Sequence, residues 1–206
     1  RSEKMAATPD FESMIGAAPT FRKALAVAAK AARGHGPALI EGESGSGKEL
    51  LIRAMHATSP RAKMPLRIVN IGGTQANTVE SVLFGHEKGA FPGAFDRQVG
   101  ALQQCDGATL ALDEIDRLPL AVQERLLESL RRSDVRPIGV RHSFRIDVRV
   151  IAASNVPLKE LVDEGLFLPD LHEALSAVTV TLPPLRERIG DIPALSRHFL
   201  TRIGEQ

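Results

Sequence analysis

Short apolar runs alternate with amphipathic stretches along most of the chain. Runs at Ala38 to Glu41, Arg67 to Asn70, Thr109 to Leu112, Val148 to Ala153 and Val178 to Leu182 have the length of strands. Between and around them, apolar residues recur at helical spacing near Thr20 to Arg33, Glu49 to Thr58, Ala121 to Leu130, Leu158 to Glu164 and Asp191 to Arg202. That alternation predicts an α/β fold, a parallel five-stranded sheet covered by helices on both faces. Ligands of such sheets bind beyond the carboxyl ends of the strands.

The first strand runs into Gly42-Glu43-Ser44-Gly45-Ser46-Gly47-Lys48-Glu49, which opens the helical stretch Leu50 to Met55. Glycines there let successive backbone N–H groups point inward, the helix N-terminus adds positive potential, and Lys48 can reach the outer phosphates of a nucleotide. A hydroxyl normally follows the lysine to hold magnesium, and Glu49 stands in its place. The third strand ends in Asp113-Glu114. Asp113 is placed to hold Mg2+, directly or through water, and Glu114 to orient an attacking water. Standing alone, such a pair would read as helix capping before Leu118-Pro119; the glycine-rich turn upstream favours nucleotide chemistry.

A chain of 206 residues with 43% hydrophobic content supports one main domain, with room for a small appendage. Its 26 basic and 25 acidic residues nearly cancel, so the domain carries no charge footprint for nucleic acid, and DNA contact is expected only through domains outside it. No apolar run reaches membrane-spanning length and no secretory stretch follows Arg1-Ser2-Glu3-Lys4, which predicts a cytoplasmic protein that avoids the membrane. Cys105 is alone and reads as a structural residue. The chain reads as a domain excised from a longer protein, with residues 1–14 a linker remnant, 15–185 the nucleotide-binding domain, and 186–206 the start of a truncated helical lid.

Four segments carry a family resemblance: Gly42 to Glu49, Leu83-Phe84-Gly85-His86-Glu87-Lys88-Gly89-Ala90-Phe91, Leu112-Asp113-Glu114-Ile115 and Pro183-Pro184-Leu185-Arg186-Glu187-Arg188. Together they resemble the central AAA+ domain of sigma-54-dependent transcriptional activators, over about Ile15 to Ile203. The resemblance implies a doubly wound, three-layer P-loop NTPase fold, with ATP and Mg2+ as ligands and the start of a helical lid. It implies ring oligomers of this or related subunits, and RNA polymerase sigma factor as a partner. Glutamate is usual in this family at the position of Glu49, which makes it a metal candidate beside Asp113. By the same resemblance, Asn70 pairs with the catalytic Glu114 as a switch and Asn155 is the sensor after the fourth strand. An asparagine that simply caps a strand end is the alternative for each.

Two segments depart from the family. Its Gly-Ala-Phe-Thr-Gly-Ala loop, which pushes on sigma-54, reads Gly89-Ala90-Phe91-Pro92-Gly93-Ala94 here. Proline fixes φ and removes both the N–H and the threonine hydroxyl, which predicts weakened engagement unless Phe91 carries most of the contact. The family segment Gly-x-Phe-Arg-x-Asp-Leu-Tyr-Tyr-Arg-Leu, which sends arginines to the neighbouring subunit's ATP, reads Gly165 to Leu175 with Leu168 and Ala174 at the arginine positions. No arginine occurs between Arg149 and Arg186, so a shift in alignment restores neither. Two readings follow, an ATPase that remodels the sigma-54 polymerase and a regulatory module that binds ATP but scarcely hydrolyses it. The second is favoured for mechanism. A kinase or helicase would need a second substrate site that the sequence does not show.

Overall fold

A computed structural model describes residues 11, 13–75 and 78–204. In chain order the elements are α1 (Pro19–Ala32), β1 (Ala38–Glu41), α2 (Lys48–Ala57), β2 (Leu66–Asn70), α3 (Val79–Phe84), β3 (Gly85–His86), β4 (Gln98–Val99) and α4 (Ala101–Gln104). They continue with β5 (Thr109–Asp113), α5 (Leu120–Arg132), β6 (Asp134–Val135), β7 (Phe144–Arg145), β8 (Arg149–Ser154), α6 (Leu158–Asp163), α7 (Pro169–Leu175), β9 (Thr179–Thr181) and α8 (Ile192–Gly204). The main sheet has the order β2-β5-β8-β1-β9, and every neighbouring pair is parallel. This is the five-stranded α/β sheet expected from the sequence.

Successive strand residues face opposite sides, so each central strand must supply two apolar faces. Leu39, Leu110, Leu112, Val150 and Ala152 pack on one side with residues of α3, α5 and α7. Ala38, Ile40, Ala111, Ile151 and Ala153 pack on the other with α1 and α2. That division is why these strands are nearly continuous apolar runs and why the fold has three layers.

Helix α1 buries Phe21, Ala24, Leu25, Ala28 and Ala32, a stripe at spacings of three and four. Distant residues satisfy both of its ends. The Asp191 carboxylate accepts from the N–H groups of Ala17 and Ala18 at 2.7 and 3.2 Å, and Arg149, only 2% exposed, donates to the carbonyls of Ala32 and Ala31 at 2.9 Å each. Without these partners the helix would leave buried N–H and C=O groups unpaired.

Most of the expected linker 1–14 lies outside the described residues, but Met14 is buried among the α1 and α2 side chains. The expected lid start holds two short turns, Leu185–Glu187 and Ile189–Asp191, and then α8. Among the described residues, no helix is long and apolar enough to cross a membrane.

Candidate nucleotide-binding site

Strand β1 lies between β8 and β9, so the chain leaving it enters a cleft at the carboxyl edge of the sheet. Gly45 and Gly47 adopt φ of +78° and +102° there, the left-handed region that a side chain disfavours. The loop folds around its own lysine. Lys48 Nζ donates to Gly42 O at 2.6 Å, Glu43 O at 3.0 Å and Asn155 Oδ1 at 2.7 Å. Burial holds the Lys48 pKa below its ordinary value, while the nearby negative charges of Asp113, Asp116 and Glu114 pull it the other way.

Strands β5 and β8 bring the remaining candidates to the same edge. A cavity of about 280 Å3 is lined by Ser44, Gly45, Gly47, Lys48, Glu49, Leu50, Asp113, Glu114 and Asn155. Sequence positions more than one hundred residues apart thus meet in one recess. Burial raises the Asp113 pKa above the usual carboxylate range, opposed by the Glu114 N–H and the Lys48 charge; Glu114 and Glu49 push it further up. A carboxylate kept ionised against burial and like charge gains from a cation beside it. Glu49 itself turns to Arg53, one helical turn on, at 2.7 Å. Among the described residues no group of three metal-ligating side chains gathers.

Glu114 sits at φ 55°, ψ 44°, a strained left-handed conformation for a residue with a side chain. Its carboxylate rests where a Cβ on Gly72 would be, 1.9 Å from Oε2. Asn70 lies nearby at the end of β2, but its Oδ1 accepts from the Gly73 N–H at 2.6 Å. Among the described residues no hydrogen bond joins Asn70 to Glu114. Asn155, by contrast, touches Lys48 directly, and its N–H donates to Asp116 Oδ1 at 3.0 Å. Gly72→Ala should evict the Glu114 carboxylate yet change affinity for an ATP analogue less than about three-fold. A crystal structure and calorimetry check both outcomes, and an unmoved Glu114 would contradict this packing account.

Several residues of the cleft escaped the sequence reading. A second, mostly apolar cavity of about 300 Å3 adjoins Gly45 to Gly47 and is lined by Met14, Ile15, Phe21, Leu185, Arg188 and Phe199 among others. Arg188 lies over the Phe21 ring at 4.3 Å and donates to Ser46 O at 3.2 Å. Arg186 pairs with Glu43 at 2.8 Å, which lowers the Glu43 pKa. The Leu185-Arg186-Glu187-Arg188 run was visible as a motif, but its contact with the glycine-rich loop is a product of folding.

The loop Gly89 to Ala94 is carried between β3 and β4, which pair antiparallel. Ala94 N–H donates to Phe91 O at 3.0 Å across Pro92 and Gly93, and Gly93 has φ +102°. Proline followed by a left-handed glycine is the pattern of a type II turn, so Pro92 favours this closed shape. Phe91 stacks edge-on against His86 at 4.9 Å, whereas Phe95, just beyond the loop, is 80% exposed. In the segment Gly165 to Leu175, Leu168 packs on the core at the start of α7, and Ala174 borders a cavity with Arg131 and Arg149. Arg131 reaches this face from α5 and is paired with Asp170 at 2.7 Å.

The profile of the sigma-54 interaction domain matches residues 14–181. DNA-binding transcriptional regulator NtrC of Salmonella typhimurium is 46% identical over 187 residues, which cover 91% of this chain and 40% of that protein. Transcriptional regulatory protein ZraR of Klebsiella oxytoca is 44% identical over 193 residues, covering 94% and 44%. The chain therefore spans less than half the length of these relatives. A crystal structure of NtrX from Brucella abortus in complex with ATP superposes with a TM-score of 0.86 at 33% identity, over 94% of this chain and 42% of that one. The sheet order agrees with these likenesses: the chain belongs to the sigma-54 interaction domain family, the AAA+ central domain of NtrC-like activators.

Proposed function

We propose that this domain binds ATP in the cleft between the glycine-rich loop and α8, hydrolyses it slowly by itself, and contacts sigma-54 through an altered loop. The observation that carries the binding step is the Lys48 network, which holds a cation at a cavity lined by the glycine-rich loop together with Asp113, Glu114 and Asn155. The adjoining apolar cavity suits an aromatic base, and the NtrX structure solved with ATP supports the same ligand here. Asp113, with Glu49 as the weaker candidate, would hold Mg2+, which neutralises charge on the outer phosphates. Glu114 orients the attacking water once it leaves Gly72, and Asn155 holds Lys48 in line with the phosphates.

Hydrolysis by a ring of identical subunits lacks the guanidinium that Leu168 and Ala174 would have supplied to a neighbour. Such a finger is worth about 10³ to 10⁵ in rate. Steady-state ATPase measured across protein concentration tests this reading. Turnover should stay low as concentration rises, while calorimetry shows ATP bound. A rate that climbs steeply with assembly would overturn it. The cytoplasm is the compartment in which such a regulator would meet polymerase, and DNA contact would fall to other domains.

The altered loop makes its own prediction. Pro92 stabilises the closed turn and removes a hydroxyl, so Pro92→Thr in the full-length protein should trap more sigma-54 in the presence of an ATP transition-state analogue. Co-sedimentation reads this directly, and equal trapping by variant and parent would assign the contact to Phe91 alone.

A further inference from the structure

A cavity of about 230 Å3 lies between α5 and the β6–β7 hairpin, on neither the nucleotide cleft nor the path of its ligands. Its walls include Arg125, Arg132, Arg136, Arg141, Glu128 and Asp134. Four guanidinium groups face two lining carboxylates and Glu80, which pairs with Arg125, so one positive charge is left in excess. The carboxylates are already engaged, Glu128 by Arg132 at 3.0 Å and Asp134 by the Ser143 hydroxyl at 3.0 Å. Arg125 is fixed in place by Glu80, by the Phe84 ring at 4.3 Å and by the Arg136 carbonyl at 2.7 Å. Arg136 and Arg141 have no ion pair or side-chain hydrogen bond among the described residues.

We propose that this cavity is a second anion site, which takes a small phosphate-class oxyanion such as inorganic pyrophosphate. Planar guanidinium forks match phosphate oxygens two at a time, and a preformed wall of them lowers the ordering cost of binding. Mutual repulsion of the Arg136 and Arg141 guanidinium groups, which line the cavity without ion pairs among the described residues, is relieved when a multivalent anion enters. The cavity has room for a small oxyanion and some water, and is too small for a folded peptide element.

Occupancy has a structural consequence. Arg136 and Arg141 flank the hairpin residues that carry the sigma-54 loop: the Glu87 N–H donates to Ile138 O at 3.1 Å, and the Ile138 N–H to Gly85 O at 2.9 Å. Gly139 lies so close to Ala90 that a Cβ on it would come within 2.9 Å. An anion that ties both arginines to α5 therefore holds the platform under Gly89 to Ala94.

The test uses Lys48→Ala chain, so that the glycine-rich loop cannot take the probe. Titration with inorganic pyrophosphate at constant ionic strength should show one saturable site, and amide exchange at Gly89 to Ala94 should slow as it fills. Arg136→Gln with Arg141→Gln should weaken binding at least ten-fold; should that pair fail to fold, Arg141→Gln alone should still weaken it measurably. Equal affinity in parent and arginine variants overturns the site, as does a signal that chloride reproduces at the same ionic strength. Tighter binding of a short single-stranded oligonucleotide would overturn the small-anion assignment. None of these outcomes depends on whether the cleft binds ATP, which Lys48→Ala tests separately.

Discussion

Lys48→Ala should weaken binding of an ATP analogue at least a hundred-fold, about 2.7 kcal/mol, and in practice remove it from calorimetric range. The ammonium is held by two loop carbonyls and Asn155, so it arrives at the phosphates already ordered. Truncation loses that charge and also leaves Asp113, Glu114 and Asp116 without their shared counter-charge, so the cleft becomes repulsive to an anion. Stability supplies a second readout. Asp113 has a raised folded pKa, so its ionised form costs stability; the cost is absent below the ordinary value of 3.8 and fully present above the raised one. Lys48 has a lowered pKa, so its charged form costs stability below that value, and the cost fades as pH rises to the ordinary 10.5. A bound phosphate group would relieve the Lys48 cost at neutral pH, and a cation beside Asp113 would relieve the other. In the parent, nucleotide at one hundred times its dissociation constant should add about 2.7 kcal/mol of stability. The variant should show no such gain in a thermal melt, and an analogue affinity equal to the parent's would remove the cleft from consideration.

How much of this was legible in the sequence depends on the range of the interaction. Strands β1, β5 and β8 announced themselves because burial on two faces forces continuous apolar residues, and the glycine-rich turn because phosphate chemistry demands consecutive residues. Helix α7 was not foreseen, since it opens on Pro169 and spans only seven residues. The two-residue pairs β3–β4 and β6–β7 carry too little pattern to detect, and their existence rests on tertiary contacts such as Ile138 with Gly85. Gly72 illustrates the same limit within the site: nothing local marks it, and its role appears only when Glu114, forty-two positions later, swings onto its backbone. Asn70 is legible in the sequence as a residue but not through any contact, because its side-chain oxygen here accepts from the Gly73 N–H. Arg131 and Asp191 belong to this class too, each acting on an element that sequence distance conceals.

Mixing this chain with a family subunit that keeps its arginine fingers but has lost its own phosphate-loop lysine should raise ATPase activity by orders of magnitude over either protein alone. On the proposed reading, the defect in this chain is one-sided. Lys48, Asp113, Glu114 and Asn155 gather around the phosphate cavity, whereas Leu168 and Ala174 occupy the face that would serve a neighbour. Leu168 is anchored there by packing against the core, and its N–H donates to Gln123 Oε1 at 2.8 Å. Arg131, which reaches the same face from α5, is paired with Asp170 at 2.7 Å. In the mixture the partner has no working cleft, so every turnover must come from this chain's cleft completed by the partner's arginine. The finger contributes about 4 to 7 kcal/mol of barrier, since each 1.36 kcal/mol is ten-fold in rate. Activity should peak at intermediate mixing ratios, where heterotypic interfaces are most numerous, and vanish with Glu114→Gln in this chain. A mixture that co-assembles by sedimentation yet stays as inactive as its parts would locate the defect in the cleft itself, with Glu114 resting on Gly72 the first feature to suspect.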